Sequence, residues 1–366
     1  MLPRDVISTG SLILRPPAGS DLEDIVKMSD DPVTARYLPL LARPYRIEHA
    51  REYLGMAAAR WEDGGAEYAI TEGGRLVGSI GVRPPDHWGV SEIGYVVAPW
   101  ARNRNVAATA ARALTDWAFD HGVRRVELQA EVENLASLRV AYKAGFREEG
   151  RRREAKRLRD GRYMDLVTFA RLKGEAAPPA EPYLPFFAGG ELSDGVVRLV
   201  PLTVEDAPDY HRMMADPDVA AYAVSPPSTL EDDERRCRYT GYWWVSGQRV
   251  ELAIRDAASG EFAGHLQLTQ VLPPLAQAMV GYSLLPSHRG KGYMTRAVRL
   301  LVDWAFANTP LHRLVAGTDV GNAASHAVLE RVGFRVEGVH RELFPKPDGT
   351  RADDMEWALL RSSWQR

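Results

Sequence analysis

The chain repeats itself, and that limits its fold more than any other feature. Asp116-Trp117-Ala118-Phe119 returns 187 residues later as Asp303-Trp304-Ala305-Phe306, and Gly94-Tyr95 and Arg102 return at the same shift as Gly281-Tyr282 and Arg289. Asn134-Leu135-Ala136-Ser137 matches Asn322-Ala323-Ala324-Ser325, and Gly145-Phe146 matches Gly333-Phe334, both at a shift of 188. Asp31-Pro32 matches Asp216-Pro217 at 185. So many ordered matches with so little drift indicate a tandem duplication, and the period is far too long for a solenoid. A length of 366 residues suits two cores of ordinary domain size.

The boundary is legible. Gly174 to Pro182 is rich in proline and small residues, which reads as a semi-extended linker. Tyr183-Leu184-Pro185-Phe186-Phe187 is too apolar to hang in water and is expected to pack on one or both halves. The expected division is an N-terminal domain at 1–173, a linker at 174–192 and a C-terminal domain at 193–366.

Composition excludes several classes. Lys and Arg number 46 against 49 Asp and Glu, a net charge of −3, whereas a dedicated nucleic-acid binder is usually basic over a whole domain. No run of about 18 apolar residues offers a membrane span, and Met1-Leu2-Pro3-Arg4-Asp5 lacks the layout of a signal peptide. With Cys237 alone, an intrachain disulfide and a cysteine zinc site are both impossible. The expected compartment is cytoplasmic. His265, His288 and His326 show no metal-ligand spacing, so no metal is expected. The mixed charges from Arg147 to Arg159 read as a solvated face.

Each half has the same coarse order. A short strand (Leu12–Pro16; Val196–Leu202) precedes a helix with an acidic first turn. Thr203 with Asp206, and Ser228 with Glu231, fit capping boxes. Three extended stretches follow, in the second half Val250–Arg255, Glu261–Val271 and Ala278–Leu285. Next, Met294, Ala297, Val298, Leu301 and Ala305 repeat at helical steps, as do Ala107, Ala110, Ala111, Leu114 and Ala118 in the first half. A strand (Arg313–Thr318), a helix (Ala323–Val332) and two last strands close an α+β plan with one central sheet per half. Tyr239, Tyr242, Trp243 and Trp244 suit either core packing or an acceptor wall.

The turn between the fourth strand and the third helix reads Arg289-Gly290-Lys291-Gly292-Tyr293-Met294. Two glycines at a helix mouth leave backbone N–H groups bare, and two bases beside them favour an anion such as a phosphate. A plain glycine turn with solvated bases is the competing reading. Neither a P-loop nor a dinucleotide fingerprint fits the spacing.

The turn resembles the Arg/Gln-x-x-Gly-x-Gly/Ala pyrophosphate motif of the GNAT superfamily of N-acetyltransferases. Asn322-x-x-Ser325 and Gly333-Phe334-x-x-Glu337-Gly338 resemble its RimJ/RimL-type branch, and the resemblance spans both halves. It implies two tandem GNAT-like α+β domains (α/β three-layer), each a mixed central sheet flanked by helices. It implies acetyl-CoA as acyl donor, with its pantetheine arm beside Leu284 and Leu285 and its pyrophosphate on the amides from Arg289 to Met294. Asn322 and Ser325 would face the thioester, Ser325 donating a proton to the leaving thiolate and Glu337 serving as the base. Met294 departs from the family's usual small residue and would crowd the adenine side. The acceptor would be the amine of a peptide, a protein N-terminus or a small molecule. An acetyl-CoA-binding sensor or scaffold without turnover is the alternative.

The first half departs further. Its motif is Arg102-Asn103-Arg104-Asn105-Val106-Ala107, with Asn at both glycine positions. Asn tolerates left-handed backbone, so the loop shape could survive, yet its side chains take space that phosphate needs. A second site there would comprise Glu92, Val96, Val97, Arg102, Arg104, Val106, Ala107, Asn134, Ser137 and Glu149. Glu92 lies near where some GNAT enzymes carry a base; its counterpart is Met279. Either half could be active, and the intact glycines favour the second.

Overall fold

A computed structural model describes residues 2–222, 227–346 and 349–364. The chain divides into two compact units, Met1–Glu181 and Pro182–Arg366. The proline-rich segment ends with the first unit, where Ala180 N–H donates to Tyr142 O and Arg147 pairs with Glu175. The apolar segment belongs to the second: Leu184 is fully buried, and Phe186 and Phe187 pack on Trp244.

In the first unit the order is β1 (Ile7–Thr9), β2 (Leu12–Arg15), α1 (Leu22–Ser29), α2 (Pro32–Tyr37), α3 (Ile47–Glu62) and β3 (Ala66–Glu72). Then come β4 (Arg75–Val82), β5 (Val90–Val97), α4 (Val106–Asp120), β6 (Arg125–Glu131), α5 (Leu135–Lys143), β7 (Arg147–Arg157) and β8 (Tyr163–Leu172). The second unit begins with β9 (Leu192–Ser193), β10 (Val197–Pro201), α6 (Ala207–Met214), α7 (Pro217–Ala220), α8 (Leu230–Val245) and β11 (Val250–Asp256). It continues with β12 (Phe262–Leu272), β13 (Gln277–Leu284), α9 (Tyr293–Asn308), β14 (Arg313–Asp319), α10 (Ala323–Val332), β15 (Arg335–Pro345) and β16 (Arg351–Leu360). Each unit is a mixed α+β domain with one eight-stranded sheet, ordered β1-β2-β3-β4-β5-β6-β8-β7 and β15-β16-β14-β13-β12-β11-β10-β9. All ladders are antiparallel except β5 with β6 and β13 with β14.

Helical periodicity sets the packing. Met294, Ala297, Val298, Leu301 and Ala305 fall on one face of α9 and enter the core that joins it to β10, β11, β12, β13 and α10. Tyr210 and Met213 of α6 and Cys237 of α8 pack with Ala253 and Phe262 on the other side of the sheet. Trp244, Tyr242 and Tyr239 are almost fully buried, so core packing accounts for these three, while Trp243 is half-buried with Arg249 over its ring at 4.6 Å. The capping box of α8 is Thr229 with Asp232, not Ser228 with Glu231; Ser228 Oγ instead donates to Asp233 at 2.8 Å.

Candidate functional site

The site grows from a failure of pairing. β13 and β14 share only three residue pairs, Gln277–Met279 with Arg313–Val315, although β13 runs on to Leu284 and β14 to Asp319. The same parting follows Val90–Glu92 and Arg125–Glu127 in the first unit. Along the parting, β13 keeps only β12 as neighbour. Leu285 N–H donates to Ala263 O at 2.9 Å. By the alternation of an antiparallel ladder, Leu284 and Tyr282 therefore turn their backbone groups the other way, into the parting. An extended ligand can pair with such an edge as a strand would. Leu284 turns its N–H into the parting while its carbonyl accepts from Arg289 Nε at 3.3 Å, whereas the Leu285 amide, expected there as well, is already bonded to β12. Likewise Ala98 N–H donates to Val77 O, which turns Val97 into the parting of the first unit and Val96 away from it.

The turn that follows β13 has the expected shape. Gly290 and Gly292 lie at φ +71° and +78°, and a Cβ on either would meet nothing within 4 Å. The left-handed backbone is what demands glycine here. Gly292 is the N-cap of α9, and its side supplies no cap, so the first amides of a sixteen-residue helix are open to an anion. Asn103 and Asn105 adopt the same left-handed conformation, φ +61° and +58°. The loop shape therefore survives in the first unit. There, however, Asn105 Oδ1 accepts from Lys143 Nζ at 3.3 Å, and the same ammonium pairs with Glu181 at 3.1 Å. A carboxylate thus stands beside the loop.

Several side chains have other duties. Arg289 is held by Asp216 at 2.8 Å and Asp218 at 2.7 Å, and its Nε donates to Leu284 O. Arg102 is held the same way by Asp31 and Thr34, so the repeated Asp-Pro and Arg are two halves of one clamp on the loop. Arg104 pairs with Glu72. Lys291 is exposed. Tyr293 Oη donates to Asp256. Met294 is buried in the core and does not crowd the loop; Val106 and Ala107 are buried likewise. What this turn presents to a ligand is therefore its backbone amides and the exposed side chain of Lys291.

Asn322 caps α10: its Oδ1 accepts from Ser325 N–H at 3.1 Å, as Asn134 does from Ser137. A capping carbonyl is satisfied locally, so Asn322 fixes the turn that carries Ser325. Ser325 Oγ lies 2.8 Å from Tyr282 Oη, and Ser137 Oγ lies 2.6 Å from Tyr95 Oη. Serine, tyrosine and the open backbone of β13 therefore meet at the parting.

Glu337 does not join them. Arg313 Nη1 donates to its Oε1 at 2.9 Å and Nη2 to its Oε2. The bidentate Arg313 bond holds the Glu337 carboxyl below its usual range. A carboxylate so held is a weaker base than a free one. Arg313 stands on the sheet face opposite Leu314 and Ala316, which enter the α9/α10 core. Arg125 holds Glu149 identically. Glu92 faces Gln129 at 3.3 Å and Arg83 at 3.6 Å.

Sequence reasoning missed a buried charge cluster. Glu251, wholly inaccessible, accepts from Arg236 Nη2 at 2.8 Å and Arg249 Nη1 at 3.2 Å, and lies 2.5 Å from His265 Nε2. Burial pushes its carboxyl up, but His265 and Arg236 more than offset this and hold it well below the usual range. Glu67 occupies the same place in the first unit, with Tyr53 at 2.8 Å and Arg60 at 2.6 Å. The available signal was an acid repeated at the second position of two matching strands, followed in each by a run of apolar residues.

A family model described as an acetyltransferase (GNAT) domain matches the chain twice, over residues 11–147 and 197–335. The probable N-acetyltransferase YjcK of Bacillus subtilis (strain 168) is 37% identical over 139 residues, which are 34% of this chain and 76% of that protein. The putative ribosomal N-acetyltransferase YdaF of the same organism is 34% identical over 107 residues, 29% of this chain and 57% of that protein. Among solved structures, Mycobacterium smegmatis RimJ in complex with CoA-disulfide is similar at 25% identity and a TM-score of 0.45, over 51% of this chain and 93% of that one.

Proposed function

Because the chain belongs to the GNAT family of acetyltransferases, we propose that its C-terminal domain uses acetyl-CoA to acetylate the amine of a peptide, a protein N-terminus or a small molecule. The carrying observation is the coincidence of the parted β13 edge, the left-handed glycine turn and the Ser325 hydroxyl in one domain. These parts suit the donor. The open amides at the mouth of α9 suit a pyrophosphate, and the backbone of Tyr282 and Leu284 suits an amide-bearing arm. When bound, the donor supplies an acetyl group as a thioester. Arg289, through its two aspartates, holds the turn in register, and Ser325 offers a proton to the departing sulfur.

An α-amine of pKa about 7.7–8.0 reaches its neutral, attacking form near neutral pH with little help, whereas a lysine at about 10.4 needs a base. With Glu337 bound to Arg313, this reading favours α-amines and other weakly basic acceptors. Glu337→Gln is then expected to leave turnover within about threefold of wild type, because a carboxylate held by Arg313 takes no proton in the step, and to cost about 1 kcal/mol of stability or less. The pair's contribution is present above the unfolded carboxyl pKa of about 4.3 and fades as pH falls through its lowered folded value. A tenfold loss at pH 8 would return Glu337 to the role of base.

Ser325→Ala is expected to lower turnover at least tenfold with little change in acetyl-CoA affinity, because the interaction forms as the thiolate leaves. A screen of amine acceptors with thiol-release detection, run on both proteins, tests the assignment; equal rates would contradict it. For the N-terminal domain, Glu181 beside Lys143 and the Asn-bearing loop favour a binding or structural role without turnover.

A further inference from the structure

Ser325 is oriented from two directions. Asn322 fixes its backbone through the helix cap. Among the described residues its Oγ has one hydrogen-bond partner, Tyr282 Oη at 2.8 Å. Tyr282 comes from β13, three residues beyond the last pair with β14, and Ser325 from the helix that follows β14. The two hydroxyls therefore span the parting itself. The first unit builds the same pair from Tyr95 and Ser137 although its loop has lost both glycines.

Either hydroxyl can donate, and chemistry chooses between them. A phenol, with an ordinary pKa near 10, is a stronger donor than an alkyl hydroxyl, which ionises about as reluctantly as water. The other acceptor within reach of Tyr282 Oη is Ser325 O, at a long 3.3 Å. With the phenol donating to Oγ, the serine's own hydrogen is not committed to Tyr282 and is available to a group lying in the parting.

We propose that Tyr282 is a positioning residue for departure of the thiol: it donates to Ser325 Oγ and so aims the serine hydrogen at the thioester sulfur. This rests on the reading that the thioester lies in the parting and that Ser325 serves its sulfur. In the step, the amine nitrogen bonds to the carbonyl carbon, the C–S bond breaks, and the sulfur takes the Ser325 proton. Ser325 Oγ takes the phenolic proton in turn, Tyr282 regains one from water, and the amine releases its surplus proton to solvent. Burial pushes the Tyr282 phenol up to about 12, which keeps it protonated, and ready to donate, at neutral pH.

The test pairs a binding readout with kinetics in Tyr282→Phe, Ser325→Ala and the double variant. Thiolate absorbance of bound CoA, titrated against pH, reports the hydrogen bond to sulfur without any turnover. The sole protein thiol, Cys237, is buried and pushed up to about 12, so it stays silent below that. A serine hydrogen aimed at sulfur stabilises the thiolate, so bound CoA should titrate at least half a unit higher in Tyr282→Phe than in wild type. The double variant should match Ser325→Ala in both titration and kcat, because Tyr282 acts through the serine. Identical titration in wild type and Tyr282→Phe, or losses that multiply in the double variant, would overturn the positioning role. If Ser325→Ala itself changes nothing, the underlying site assignment fails instead. Melting temperatures within a few degrees of wild type confirm that the removed oxygen leaves the fold intact.

Discussion

Glu251→Ala should destabilise the C-terminal unit by about 3–5 kcal/mol, the range for removing one partner of a buried ion pair. The acid is wholly buried, and two guanidinium groups and His265 converge on it. Its removal leaves buried His265 and the inner sides of the two partly exposed guanidinium groups without their anionic partner. For a unit of this size that corresponds to a fall in melting temperature of roughly 10 °C. Glu251→Gln keeps acceptor geometry for one arginine and should fall between the two. Because the Glu251 carboxyl is held below its unfolded value, its contribution is present above about pH 4.3 and is lost as pH falls through the lowered value. Scanning calorimetry of the intact chain at pH 7 checks this; a loss of under 2 °C for the alanine variant would show that the cluster is not what holds β11 and β12 to α8.

Gly292→Val is expected to weaken acetyl-CoA binding more than tenfold, a change of about 1.4 kcal/mol. A Cβ there meets no atom within 4 Å, so crowding inside the protein is not the reason. The cost arises because a β-branched residue strains a backbone at φ +78°. The turn must then relax, and the amides it aims move with it. Gly292→Asn should be milder, since Asn105 already occupies the same conformation. Calorimetric titration with acetyl-CoA measures both, and unchanged affinity in the valine variant would remove the pyrophosphate from this turn.

How much of this was legible in the sequence depended on the range of each interaction. The duplication, the element order and the glycine turn all rest on local pattern, and the α10 helix appears at its expected bounds, Ala323–Val332. The partners of the site side chains do not follow from local pattern. Arg313 meets Glu337 across three strands, and Arg289 meets Asp216 across more than seventy residues, so both looked free in one dimension. Leu285 was misplaced because its amide direction depends on register with β12. Met294 could have been placed correctly, since it heads the very stripe, Ala297, Val298 and Leu301, that fills the core. The Tyr282–Ser325 contact was hidden for the opposite reason. Both residues sat in recognised repeats, but nothing local ties the end of one strand to the helix after the next.

In the proposed division of labour the C-terminal domain holds acetyl-CoA tightly and the N-terminal copy binds it weakly if at all. Binding stoichiometry of acetyl-CoA on the intact chain tests it most directly, repeated with Gly292→Val. One tight site per chain is expected, lost in the variant, with any second binding event far weaker. Tight binding that survives Gly292→Val would place the cofactor in the N-terminal domain and contradict the assignment.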